Sequence, residues 1–156
     1  MQLDSYFVDY LKEIRPTLAQ RADCKDGHTR LRKRLLDDED LAPAIVDTFL
    51  QGSYRRATAV RPDADDNLDV DVIVVTKLSE QEYTPQQAMN RVVPFLDKHY
   101  AGKYEFHGRS VGIVLSAVNL DLVVTSAPSE AEEGILRSDA VTAYDTPEDT
   151  NDWVLN

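Results

Sequence analysis

Asp69-Val70-Asp71-Val72-Ile73-Val74-Val75-Thr76 is the stretch on which the fold turns. Its β-branched residues favour an extended, half-buried backbone, so it reads as a strand. Side chains alternate along a strand, which puts Asp69 and Asp71 on one face and Val70 and Val72 on the other. Two carboxylates repeating at about 7 Å along one face repel each other. A divalent cation between them removes the conflict, because hard oxygen ligands suit magnesium. The pattern alone is not specific. With 28 acidic residues, chance Asp-x-Asp pairs are expected, and Asp63-Ala64-Asp65 is one of them.

The flanking sequence adds context. Ile45 to Leu50 reads as a short strand that enters Gly52-Ser53, and residues 54–58 as a helical turn. Glycine lets the backbone approach a phosphate, and the turn amides and the Ser53 hydroxyl can then meet its oxygens. Arg55 and Arg56 have two readings, contact with phosphate oxygens or salt bridging to the acidic loop over 61–67. Downstream, Thr84-Pro85-Gln86-Gln87 combines an N-cap, a first-turn proline and a capping glutamine, so a helix should run to about Tyr100. Pro94 should kink or split it. Strands follow at about 103–107, 111–117 and 119–125, the last two joined by a tight connection at Val118-Asn119. Asp121 lies inside the last of them. A carboxylate within an apolar strand is costly unless it is paired, solvated or metal-bound. Beside the Asp69 strand it would complete a set of three carboxylates, enough to hold two metals, and it is the natural general base.

Upstream, Leu3, Tyr6, Phe7, Tyr10, Leu11, Ile14 and Leu18 recur at helical spacing, which predicts an amphipathic helix over 3–22. Asp26 is the expected cap of a second helix over 27–37, whose cluster of Arg30, Arg32, Lys33 and Arg34 reads as a solvated surface. The chain thus divides into N-terminal helices (1–40), a sheet core with the metal site (45–126) and a trailing segment (127–156), where Glu130 to Arg137 suggests a helical turn and the remainder reads as loop. The fold class is α/β (α+β), with helices packed on a mixed sheet.

Several other chemistries fall away. Asp63, Asp65 and Asn67 begin like a calcium loop, but Leu68 and Val74 stand where glycine and glutamate are required. His28 and His107 have no metal-spaced partner and read as surface or satisfied polar residues. Ser53 lacks the surroundings of a hydrolase nucleophile. Trp153 and the N-terminal aromatics read as packing residues. Cys24 is the single cysteine, which excludes an internal disulfide. A net charge of −11 counts against a nucleic-acid polymer as partner and suits small nucleotides recruited through metal. With no membrane-length apolar run and an N-terminus unlike a signal peptide, a cytoplasmic protein is expected.

Gln51-Gly52-Ser53-Tyr54-Arg55-Arg56-Ala57-Thr58, Asp69-Val70-Asp71 and Leu120-Asp121-Leu122 together resemble the DNA polymerase β-like nucleotidyltransferases, and within them the bacterial cGAS/DncV-like enzymes, or CD-NTases (SMODS type). The resemblance spans residues 45–126 and, more faintly, the N-terminal helix. It implies a polymerase β-like core with a mixed twisted sheet flanked by helices. It also implies use of Mg2+, or Mn2+, with ATP, GTP or pyrimidine triphosphates to make cyclic di- or trinucleotide second messengers for antiviral (CBASS) defence. By resemblance, Gly52, Ser53 and Arg56 would contact the triphosphate. Asp69 and Asp71 would bind both metals, and Asp121 the catalytic one. The family often has glycine where this chain has Ala57, a minor departure if the backbone stays helical. The chain stops at Asp152-Trp153-Val154-Leu155-Asn156, where the family's C-terminal helical domain would begin. It therefore reads as a fragment of the full enzyme lacking that domain, with a regulatory protein as a further partner. Two other readings remain open: a transferase acting on RNA or protein, and a nucleotide-binding domain without turnover.

Overall fold

A computed structural model describes residues 3–63, 66–127, 142–144 and 153–155. The elements in chain order are α1 (Leu3–Ile14), α2 (Leu18–Asp37), a 3-10 turn (Ala42–Ala44), β1 (Ile45–Gln51), α3 (Gly52–Arg55), β2 (Leu68–Thr76), α4 (Pro85–Asn90), α5 (Val93–Tyr100), β3 (Tyr104–Phe106), β4 (Val111–Val114), β5 (Val118–Ser126), β6 (Thr142–Tyr144) and β7 (Trp153–Leu155). Strands order as β1-β2-β5-β4-β3, with β6 paired to the end of β5 and β7 to β6. β2 and β5 are parallel, and every other pair is antiparallel. The sheet is therefore mixed, as the sequence predicts. The parallel pair needs a crossover, and the segment from α4 to β4 supplies it.

Alternation sorts the two faces of the sheet. Val70, Val72 and Val74 of β2, with Leu120, Leu122 and Val124 of β5, are buried in one cluster with Leu31 and Leu35 of α2, Met89 of α4, and Phe95 and Leu96 of α5. The opposite face carries Asp69 and Asp71, then a smaller apolar group of Ile73, Val75 and Ala127. All the helical residues of the main core thus lie on the side away from the aspartates.

The N-terminal helices differ from the expectation. One helix does not run over 3–22, nor does a second begin at 27. The break falls at Pro16, whose ring excludes the helical conformation for Arg15. Thr17 starts α2 with a capping box: Gln20 N–H donates to Thr17 Oγ1 (3.1 Å), and Thr17 N–H donates to Gln20 Oε1 (2.8 Å). Asp26 is an interior residue of α2 rather than its cap. Arg61 closes the end of α1 by donating from Nε to Arg15 O (3.0 Å) and from Nη2 to Lys12 O (2.9 Å). The aromatics expected to pack are instead open: Tyr6, Phe7 and Tyr10 are 62%, 53% and 49% exposed.

The second helical region follows the prediction. Thr84 and Gln87 form the capping box. The helix splits ahead of Pro94, which sits in the first turn of α5, where a missing N–H costs nothing. The connection between β4 and β5 falls at residues 115–117 instead of Val118-Asn119, closed by Leu115 N–H donating to Val118 O (3.0 Å). The turn expected over Glu130 to Arg137 lies outside the described residues, the loop expected after it contains β6 and β7 instead, and nothing of the Trp153 side chain is described.

Candidate functional site

β2 and β5 run side by side in parallel register, so Asp71 lies opposite Asp121 and Asp69 opposite Asn119. On its other flank Asp121 faces Gly112 of β4. Asp121, distant in sequence, thereby shares one face of the sheet with Asp69 and Asp71. Their mutual field is visible in Asp121, whose carboxyl is pushed up from its ordinary value by burial first, then by the charges of Asp71 and Asp69. His107 and a long contact from Ser110 Oγ (3.5 Å) oppose that rise. Among the described residues, no three His, Cys, Asp or Glu side chains close into a ready-made metal-ligand set.

Gly52 sits against this face with φ +74°, a conformation that disfavours any side chain. A Cβ there would lie 1.8 Å from Asp71 Oδ2, so the Asp71 carboxylate occupies the space a side chain would take. Gly52 and Asp71 line a cavity of about 200 Å³ with Arg56 and Arg109. Arg55, by contrast, turns to a different cavity. Ser53 is exposed and outside the lining, and its carbonyl accepts from Thr58 N–H (2.9 Å) to close the turn. Neither Arg55 nor Arg56 has an ion-pair partner among the described residues.

Several supporting residues escape a reading of the motifs. Asn119 Nδ2 donates to Asp69 Oδ1 (3.1 Å), while Asn67 Nδ2 donates to Asn119 Oδ1 (3.3 Å) and to Leu115 O (3.0 Å). This amide chain ties Asp69 to the turn before β5. Arg109 arrives from the β3–β4 turn, which no local pattern marks as part of the site. Gly112 did carry a signal, since glycine within a strand often marks a close approach. A Cβ there would meet His107 Nε2 at 2.5 Å and Asp121 Oδ1 at 3.6 Å.

His28 is not at the surface. It is buried against Tyr54 (ring centroids 5.7 Å apart), and its Nδ1 has no hydrogen-bond partner among the described residues. Burial and the nearby Arg32 and Lys25 charges lower its pKa, which favours its neutral form. Cys24 is also buried, and desolvation with the Asp23 and Asp69 charges pushes its thiol up to about 11, too high for a nucleophile. The basic run on α2 is structural at two positions: Arg32 donates to Thr48 Oγ1 and O, and Arg34 lies 5.2 Å from the Tyr100 ring centre.

The mixed sheet with its parallel central pair is shared by solved structures. The chain superposes on the GTP-bound form of DncV from Vibrio cholerae with a TM-score of 0.72 over 94% of this chain and 54% of that one, at 13% identity. It also matches the Bradyrhizobium diazoefficiens CD-NTase CdnG in complex with GTP, with a TM-score of 0.63 over 76% of this chain and 36% of that one, at 16% identity. The chain belongs to the Second Messenger Oligonucleotide or Dinucleotide Synthetase (SMODS) family, whose model matches residues 1–132. A cyclic AMP-AMP-GMP synthase of Enterobacter hormaechei is 47% identical over all of this chain and 42% of its own length. A cyclic AMP-AMP-AMP synthase of an Acinetobacter species is 32% identical over 79% of this chain and 37% of its own length. The chain thus spans about two fifths of the length of these curated relatives.

Proposed function

We propose that this chain carries the nucleotidyl-transfer site of a cyclic oligonucleotide synthase that joins ATP and GTP units. The observation that carries the proposal is the register placing Asp71 beside Asp121 on adjacent parallel strands, with Gly52 against the Asp71 carboxylate. Asp69, Asp71 and Asp121 offer only hard oxygen donors on one face, a set that fits Mg2+ or Mn2+. The carboxyl of Asp121 is raised by burial first and then by its anionic neighbours, and a cation would relieve that second part. When bound, a pair of such cations acidifies a ribose hydroxyl and neutralises a triphosphate.

The chain's own residues do the rest. Asn119 holds Asp69, and Gly52 leaves room for Asp71. Arg56 and Arg109 line the same cavity and bind phosphate oxygens, and Ser53 in the turn contacts the triphosphate. Asp121 takes the proton as the hydroxyl oxygen bonds to the α-phosphorus and the bond to pyrophosphate breaks. The 47% identity to a cyclic AMP-AMP-GMP synthase favours a mixed AMP and GMP product, a cyclic trinucleotide, over other nucleotides. The setting is cytoplasmic CBASS signalling under protein control, a reading supported by the CdnC–HORMA complex, whose CdnC fold this chain shares at a TM-score of 0.59.

The test is incubation of the chain with labelled ATP and GTP and Mg2+ or Mn2+, followed by phosphatase. Label that resists phosphatase supports cyclisation, and the Asp69→Ala, Asp71→Ala double variant should abolish it. Label moving onto added RNA or protein would sink the proposal. Metal-dependent nucleotide binding without product would instead assign a binding domain without turnover.

A further inference from the structure

Leu50 and Gln51 are neighbours in β1, so their side chains point to opposite faces of the sheet. Gln51 borders the cavity that holds Asp71. Leu50 borders a second, larger cavity of about 480 Å³, on the other side of the β1–α3 junction. Its size falls within the range of small-molecule sites, roughly 300–1,000 Å³. Arg15 and Arg21 reach it from either side of the Pro16 break, and Arg55 from α3.

Its lining has three guanidinium groups and no carboxylate, in a chain of net charge −11. Among the described residues, none of these three groups has a hydrogen-bond or ion-pair partner. Like charges that line one cavity without a counter-ion repel each other, and an anion there lowers the cost. The planar fork of arginine matches phosphate in two hydrogen bonds. The remaining wall is mostly apolar. Leu50 and Ala57 supply aliphatic surface, and the Tyr54 ring is backed by the buried His28.

We propose that this cavity is a second nucleotide site, independent of metal, in which phosphate meets Arg15, Arg21 and Arg55 and the base lies along Leu50 and Tyr54. It goes beyond the transfer reaction and does not depend on the aspartates. α3 is a single turn, with Gly52 against Asp71 at one end and Tyr54 and Arg55 at this cavity at the other. Occupation of the cavity therefore braces the turn that borders the transfer site.

The experiment titrates AMP, and separately inorganic phosphate, into the full chain in EDTA, with binding read by calorimetry. AMP should bind more tightly than phosphate. The Arg21→Gln, Arg55→Gln double variant should weaken AMP by about tenfold or more, since two charged hydrogen-bonding groups are lost. Arg55→Lys, which keeps the charge but not the fork, should weaken it less, and this variant decides the matter if the double variant melts early. The Asp69→Ala, Asp71→Ala variant should bind AMP in EDTA like the wild type. Absence of AMP binding in EDTA, binding indifferent to the arginines, or phosphate binding as tightly as AMP would each overturn the assignment. Magnesium-dependent ATP binding, followed in the same variants, reports on the transfer site, so failure of either site is told apart from failure of the other.

Discussion

At φ +74°, Gly52 holds a backbone shape that side chains resist, and it also vacates the space used by Asp71 Oδ2. In the sequence the Gly52-Ser53 pair reads only as room for a phosphate, so the left-handed backbone is the structure's addition. The space left for Asp71 is not legible there either, because it depends on β1 and β2 pairing so that Gln51 faces Asp71. Gly52→Ala should therefore displace the Asp71 carboxylate and cost about 1–3 kcal/mol of stability, from overpacking and left-handed strain together. Calorimetric Mn2+ titration should show binding lost while circular dichroism still shows a folded chain. Ala57 gives the opposite case. The sequence allowed a helical turn there, but the residue has φ +57°, so the replacement of the family's frequent glycine is a strained one. Ala57→Gly should stabilise the chain by about 0.5–1 kcal/mol, the relief of strain exceeding the added chain entropy. A denaturant midpoint that falls instead would show that the strain is absent.

At the scale of elements, hydrophobic period found β1 to β5, because β-branched runs such as 72–75 leave little choice, but it missed the three-residue strands β6 and β7, too short to show a period. It failed between α1 and α2, where apolar spacing continues through Pro16 and masks the break. The stronger signal was local: Thr17 followed by Gln20 is a capping box. Strand direction was not legible either. That Asp121 lies beside Asp71 needs β5 to be parallel to β2, and that is decided by a crossover of some forty residues, a long-range property. α2 reaches β5 because Gly27 carries no side chain, and a Cβ there would sit 2.8 Å from Val118 Cγ1. Val118 is buried and stiff at χ1, so it cannot swing aside. Gly27→Ala should thus destabilise by about 1–2 kcal/mol, although alanine in an open helix would gain about 1 kcal/mol over glycine. A Tm at or above that of the wild type would mean that α2 and β5 do not pack this closely.

For the whole molecule, composition pointed to an acidic globular chain, and the structure shows where part of that acidity matters. Asp121 is half-buried beside Asp71 and Asp69, and its pKa stands above the ordinary 3.8. An acid whose folded pKa is raised adds stability while protonated, below the unfolded value, and loses it as pH rises through the folded value. Metal-free protein should accordingly lose that contribution above the ordinary carboxylate range, and Asp121→Asn should raise its Tm at neutral pH. A divalent cation reverses the sign, because it needs the ionised carboxylates that metal-free protein disfavours. With free Mn2+ at roughly 100 times its Kd, the gain is about 2.7 kcal/mol, or about 5–10 °C in Tm for a chain of this size. EDTA should remove it. The Tm difference between Mn2+ and EDTA should grow as pH rises through the raised pKa of Asp121, and it should vanish in the Asp69→Ala, Asp71→Ala variant. A difference that is flat with pH, or that survives in that variant, would place the cation elsewhere on the acidic surface and remove Asp121 from its ligands.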